Sequence, residues 1–135
     1  MSEFNFNSQI CTDKNQSERL LALGLKKETA DCVLPKNDYL PPLVIPYDKA
    51  SIYTTIKIIP AWSLGRLIKD LMPQSIGHLE LAIGSDYAGY YEEMYYSEFG
   101  IRWEYVEETS DMFDNIISTI EWLIKEEHFP KEYLV

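Results

Sequence analysis

Cysteine, histidine and glycine are scarce in this chain of 135 residues, which holds two, two and six of them. Cys11 and Cys32 form no CxxC pair, and neither His78 nor His128 has a neighbour at metal-ligand spacing. Zinc motifs need clusters of these residues, and phosphate-binding loops need clustered glycines. The sequence therefore predicts neither a metal site nor a cofactor site, and no catalytic motif stands out.

Long apolar runs are also missing, and a bilayer-spanning helix needs about 20 such residues. The first residues, 1–7, are polar and lack the basic and apolar regions of a signal peptide. We therefore expect a cytoplasmic protein with no membrane partner. In that reducing compartment Cys11 and Cys32 are expected to be free, buried thiols, with a disulfide between them as the alternative.

Positive charge is scarce, with 12 Lys and Arg against 22 Asp and Glu and a net charge of −10. The imbalance is confined to residues 78–135, which contain three basic and fourteen acidic residues. Such a surface repels phosphates, so direct binding to nucleic acid is not expected. It either keeps the protein in solution, or binds a basic protein partner, or imitates DNA.

The length and the 46% hydrophobic content are typical of one globular domain. Residues 1–12 are predicted to be a loose N-terminal lead-in, and residues 13–135 a single α+β domain. Asp13 followed by Gln16 is typical of a helix start, and Gly24 of a helix end. One more helical turn is expected over Lys26–Asp31.

The middle of the chain contains several prolines, which argue against a regular helix or a central strand over 33–48. We expect an ordered loop there, which can include an edge strand, with residues 43–45 buried. The β-branched segment 51–59 predicts a strand that Pro60 ends. A helix capped by Ser63 should then run to Met72.

The second half of the chain predicts an antiparallel meander of three strands over roughly 78–84, 87–96 and 101–107, because the connections are short. The first strand should turn Leu79, Leu81 and Ile83 inward. In the third strand Ile101, Trp103 and Tyr105 alternate with polar residues and should share one buried face.

A last helix is predicted from Ser110 to Glu127. Its apolar stripe consists of Phe113, Ile116, Ile117, Ile120, Leu123 and Ile124. The predicted order of elements is α-β-α-β-β-β-α, an antiparallel sheet of three to four strands packed against helices.

The segment 87–96 has an unusual number of tyrosines. As a strand it places Tyr87, Tyr91, Glu93 and Tyr95 on one face, which we take as the candidate partner-binding residues. Exposed tyrosines are favoured at protein interfaces. The alternative is that they only cover the sheet, paired across strands.

Two other functions stay open. One is a small enzyme whose site forms only in the fold, around Cys32, His78 or the many carboxylates. The other is a structural homodimer whose apolar face is its own interface. We favour a non-enzymatic interaction module, with an acidic inhibitor or a DNA mimic as its specific forms.

Three segments carry a resemblance to known proteins: 16–26 with 28–32, the stretch IPAWSLGRLIKDLMP over 59–73, and IEWLIK over 120–125. Together they resemble a family of small uncharacterised proteins from gut bacterial genomes and their prophages. That resemblance implies a bacterial or phage accessory protein in the cytoplasm. The family has no assigned activity, so the resemblance implies no functional residue.

Overall fold

A computed structural model describes residues 8–36, 40–53, 57–94 and 100–135 of the chain. The α-helices in these ranges are α1 (Lys14–Ala22), α2 (Tyr47–Tyr53) and α3 (Met112–Lys125). The strands are β1 (Cys32–Pro35), β2 (Ile58–Ala61), β3 (Ser75–Ile76), β4 (Leu79–Ile83), β5 (Tyr87–Met94) and β6 (Gly100–Glu108). They form two antiparallel sheets, β1-β2 and β3-β4-β5-β6, so the predicted α+β class is confirmed.

Helix α1 begins where the sequence predicts it. The Asp13 carboxylate accepts a hydrogen bond from the Gln16 N–H (2.8 Å), and the Gln16 side chain accepts one from the Asp13 N–H (3.0 Å). These reciprocal bonds form a capping box. Gly24 follows the helix at φ +102°, a left-handed conformation that favours glycine. The predicted extra turn is a 3-10 helix over Lys27–Thr29.

The end of the predicted lead-in belongs to the core. Cys11 and Thr12 are only 3% and 0% exposed. The Thr12 N–H donates to the Trp62 carbonyl (2.9 Å), and Thr12 Oγ1 accepts from the Trp62 N–H (3.1 Å). The expectation of a loose segment is therefore wrong at these two residues, because Cys11 is buried and hydrogen bonds to Trp62 fix Thr12.

The strand predicted over 51–59 is wrong in its first part. Helix α2 covers Tyr47–Tyr53, and the Ala50 N–H donates to the Pro46 carbonyl (3.0 Å) in its first turn. Proline suits a helix start because no N–H is needed there. The strand preference of the β-branched residues that follow does not prevent the helix. Residues 54–56 lie outside the described ranges, and β2 begins at Ile58.

Pro60 lies inside β2 rather than ending the strand. It pairs with Val33, whose own N–H and C=O bond to Leu43 on the other side (2.9 and 3.0 Å). Val33 and Pro60 therefore form a non-hydrogen-bonded pair of the β1-β2 ladder. Proline fits at such a position because no N–H is needed there. Leu43 and Val44 are 52% and 73% exposed, so their predicted burial is wrong. Leu43 contributes its backbone to the small sheet instead of its side chain to the core.

Ser63 caps the next helical segment, as predicted. Its Oγ accepts a hydrogen bond from the Arg66 N–H (3.1 Å). The segment is wound as a π-helix over Arg66–Leu71. Met72 is already extended, as expected for the residue before Pro73.

The larger sheet confirms the predicted meander of three strands, here β4, β5 and β6. The short strand β3, which the sequence did not predict, pairs with β4 and adds a fourth member. Leu79, Leu81 and Ile83 pack against the core, as predicted.

Helix α3 supplies the centre of the core. Asp111 caps it by accepting a hydrogen bond from the Asp114 N–H (3.1 Å). The predicted stripe is confirmed, since Ile116, Ile117, Ile120 and Leu123 are fully buried, Phe113 is 4% exposed and Ile124 packs at the margin. No helix within the described ranges is long and apolar enough to cross a membrane.

Candidate functional site

The larger sheet has one face packed against α3 and one face turned away from it. On the packed side Tyr90 is fully buried, its ring lies 5.7 Å from that of Trp122, and its hydroxyl donates to the Pro73 carbonyl (2.7 Å). Side chains alternate along a strand, so Tyr87 and Tyr91 project from the opposite side. We call that side the open face. Its strand residues are Ser75, Glu80, Ala82, Tyr87, Gly89, Tyr91, Glu93, Ile101, Trp103, Val106 and Glu108.

A β-bulge in β6 decides which aromatic residues reach the open face. Tyr90 pairs with Tyr105, whereas the next residue, Tyr91, pairs with Trp103, so Glu104 is an extra residue in the ladder. The extra residue reverses the alternation beyond it. Trp103 and Tyr105 therefore lie on opposite faces, and the prediction that they share one buried face is wrong.

Trp103 joins two tyrosines of β5 in what we call the aromatic cluster, formed by Tyr87, Tyr91 and Trp103. The Trp103 ring centroid lies 5.9 Å from that of Tyr87 and 5.8 Å from that of Tyr91. The ring planes meet at 69° and 67°, which are edge-to-face contacts. All three residues are partly exposed, so the cluster is a structured surface feature and not part of the core.

Gly89 provides the room for this arrangement. It lies between Tyr87 and Tyr91 and pairs with Val106, next to the bulge. A methyl group at this position would lie 2.1 Å from the Tyr105 carbonyl oxygen. Glycine is therefore required where the bulged backbone approaches β5.

Glu80 of β4 borders the cluster. The Tyr91 hydroxyl donates a hydrogen bond to Glu80 Oε2 (3.1 Å), and this bond raises the pKa of the Tyr91 phenol above its ordinary value. The phenol therefore stays neutral at physiological pH and keeps its donor directed at the carboxylate. This contact holds the ring of Tyr91 in place beside Trp103.

The charges that the strands place on the open face are all negative: Glu80, Glu93 and Glu108. Arg102, the basic residue of β6, lies on the packed side and forms an ion pair with Glu92. It therefore does not neutralise the open face. Aromatic rings whose charged strand neighbours are all carboxylates suit a positively charged partner and repel phosphates.

The predicted partner-binding residues can now be located. Tyr87 and Tyr91 lie together on the open face, as the alternation predicts, and Glu93 is exposed on the same face opposite Ile101. Tyr95 lies outside the described residues. Sequence reasoning did not include Trp103 among the partner-binding residues. Gly89 was a usable signal for the bulge that places Trp103 there, since glycine inside a strand often marks a bulge.

The thiols lack the properties of a nucleophile. Cys11 and Cys32 are free, buried at 3% and 0% exposure, and packed with Ala61. Burial raises the pKa of both thiols, that of Cys32 to about 12. Both therefore remain protonated at physiological pH, whereas the reactive form of cysteine is the thiolate.

His78 offers no partner for these thiols. Its side chain is 87% exposed at the start of β4, 3.6 Å from Glu92 Oε2. Within the described ranges, no three residues of the metal-binding types His, Cys, Asp and Glu come together as an ion site would require. The hypothesis of an enzyme centred on Cys32 and His78 finds no supporting geometry in this part of the chain.

A cavity of about 570 Å³ lies at the other end of the molecule, between the residues before α1 and the small sheet. Ile10, Leu34, Leu40 and Ile59 are among its apolar lining, and Lys14, Lys36, Asp13 and Glu18 among its charged lining. Its two basic and two acidic lining residues balance one another in charge. It therefore indicates no particular ligand.

Comparison with known proteins gives no functional lead. No family model matches the chain, and no curated protein or solved structure is significantly similar to it. The resemblance to small proteins of gut bacteria and prophages stays a prediction. Any function must therefore be argued from the geometry of the site.

Proposed function

We propose that this protein is a non-enzymatic interaction module that binds a basic protein partner through the open face of its larger sheet. The observation that supports this most is the aromatic cluster of Tyr87, Tyr91 and Trp103, which is partly exposed and shares its face with the charged strand residues Glu80, Glu93 and Glu108. In keeping with its buried free thiols, the module would act in the reducing cytoplasm.

The residue types support this function on energetic grounds. Tyrosine and tryptophan contribute large contact areas at small entropic cost, and they are enriched among the residues that dominate binding energy. The rings are already held against one another and, through Tyr91, against Glu80. Little side-chain freedom would be lost on binding, which favours affinity.

The negative charge favours a basic partner over a second copy of the chain. Two copies joined through their open faces would bring Glu80, Glu93 and Glu108 of one protomer close to the equally acidic face of the other. Like charges in an interface cost free energy and slow association. A partner rich in Lys or Arg would instead be attracted, and its binding would weaken as salt is raised.

The test is selection from a peptide library displayed on phage. The wild-type protein should enrich peptides rich in Lys and Arg, and a Tyr87→Ala/Tyr91→Ala variant should not retain them. A Leu43→Ala/Val44→Ala variant, altered at exposed residues beside the small sheet, serves as the matched control and should bind like the wild type. Enrichment of neutral or acidic peptides, or binding that survives loss of both tyrosines, would refute the proposal.

A narrower form of the proposal is inhibition of a DNA-binding protein by DNA mimicry, which the charge of −10 motivates. The selected peptides distinguish the two forms. If they match the DNA-contacting surface of a protein and double-stranded DNA competes for that protein, mimicry is supported. If DNA leaves binding unchanged, the module binds a basic surface of another kind.

A further inference from the structure

We propose that the aromatic cluster is a receptor for one arginine side chain of the partner. This inference rests on the proposed function and specifies its chemistry. The relevant site is small: the rings of Tyr87, Tyr91 and Trp103, with the Glu80 carboxylate at one side. The occupant is a guanidinium group presented by a protein.

The ring geometry is suited to a planar cation. Because the tyrosine planes are inclined to the indole plane by 69° and 67°, the three rings do not form a flat stack. An angular cluster of this kind presents ring faces in more than one direction. Aromatic faces carry negative electrostatic potential and attract cations whose centre lies within about 6 Å of the ring.

The neighbouring carboxylate selects for arginine. Glu80 accepts a hydrogen bond from Tyr91 through Oε2, and a carboxylate oxygen can accept more than one donor. A guanidinium can stack on a ring and donate to a carboxylate at the same time. The lysine ammonium is a compact, strongly hydrated charge that cannot stack.

The chain's own cations do not occupy this position. Arg102 is paired with Glu92 on the packed side of the sheet. In the described part of the molecule, the cation that lies over an aromatic ring is Lys27, 5.9 Å from the ring centroid of Tyr47, and neither residue belongs to the cluster. Nothing in that part of the chain therefore competes with an arginine from outside.

The experiment is an NMR titration that follows the indole N–H signals of the three tryptophans. The ligand is acetyl-Gly-Arg-Gly-amide, compared with the same peptide carrying citrulline, which is neutral and of the same shape, or lysine. The Trp103 signal, assigned by its loss in Trp103→Phe, should shift with a dissociation constant on the order of millimolar. Trp62, fully buried with its Nε1 bonded to Thr29 (2.9 Å), is the internal control and should not shift.

We expect the citrulline and lysine peptides to bind at least about fivefold more weakly than the arginine peptide. The exposed Glu80→Gln variant should weaken arginine binding by about the same factor without affecting the fold. Citrulline or lysine binding as tightly as arginine, or arginine binding that is unchanged in Glu80→Gln, would overturn the inference. If library peptides still require Tyr87 and Tyr91 in that case, the interaction module stands and only the arginine receptor fails.

Discussion

The indole of Trp122 in α3 is stacked on the phenol ring of Tyr105 in β6, with centroids 5.2 Å apart and planes at 13°. Such a contact adds about 1 kcal/mol beyond the area it buries. It holds Tyr105 on the packed side of the sheet while Trp103, two residues earlier, lies on the other. The extra residue Glu104 makes this reversal possible, so the bulge and the helix together create the open face.

Deleting Glu104 should therefore be tolerated. Without it, Tyr91 would still pair with Trp103 and Tyr90 with Tyr105, now in a regular ladder. We expect the deletion variant to unfold cooperatively in urea, with a loss of no more than about 1 kcal/mol.

The matched control is deletion of Val106, in the regular part of the same strand. That deletion should cost several times more, since it moves Glu107 and Glu108 to the wrong faces. Equal stability of the two deletion variants would show that the bulge does not set the orientation of Trp103.

Gly89→Ala should be strongly destabilising, by roughly 2–4 kcal/mol, because its methyl group would lie 2.1 Å from the Tyr105 carbonyl oxygen. Thermal unfolding followed by circular dichroism measures this. Gly65→Ala is the control, since the nearest atom to its added methyl group is Ser63 Oγ at 3.9 Å. That variant should be as stable as wild type or more so, because alanine favours the helical backbone. Similar melting temperatures for both variants would contradict the close approach at Gly89.

The elements that the sequence predicted well carry their signals locally. Asp13 with Gln16, Ser63, and the apolar stripe of α3 act over a single helix, so composition and spacing suffice to find them. The strand prediction for 51–59 was wrong in its first part because the β-branched residues of this segment favour a strand. The helix start that prevails lies before the segment, at Pro46. Propensity alone did not indicate which of the two would prevail.

Half of the candidate site could be predicted, namely the part that depends on local alternation along one strand. Alternation along β5 correctly placed Tyr87 and Tyr91 on one face, since β5 contains no irregularity of its own. Trp103 was assigned to the wrong face because a single extra residue in β6 reverses the alternation of side chains. The extra residue is accommodated by the pairing of β6 with β5, which the sequence of β6 alone does not show. No pattern within β6 itself distinguishes Glu104 from its neighbours.

Tyr90→Phe should lower the free energy of unfolding by about 1 kcal/mol. The change removes the hydroxyl that donates to the Pro73 carbonyl at 2.7 Å and leaves that carbonyl without this donor. Urea unfolding near neutral pH measures the loss. Tyr91→Phe removes a hydroxyl from the open face and should cost clearly less stability than Tyr90→Phe does. The opposite ranking of the two variants would mean that the two faces of the sheet have been assigned the wrong way round.

Raising the pH should destabilise the protein through its buried thiols. Burial raises the pKa of Cys32 from 9.0 to about 12, so the folded state keeps a proton that the unfolded chain loses near pH 9. The contribution of this thiol to stability is therefore fully present below pH 9 and is lost as the pH rises towards 12. In urea unfolding between pH 7 and 10, where the tyrosines contribute equally to both proteins, a Cys32→Ala variant should lose less stability with rising pH than the wild type does. Parallel pH dependences would contradict the neutral, buried state of Cys32, and rapid alkylation of the native protein at pH 8 would contradict it independently.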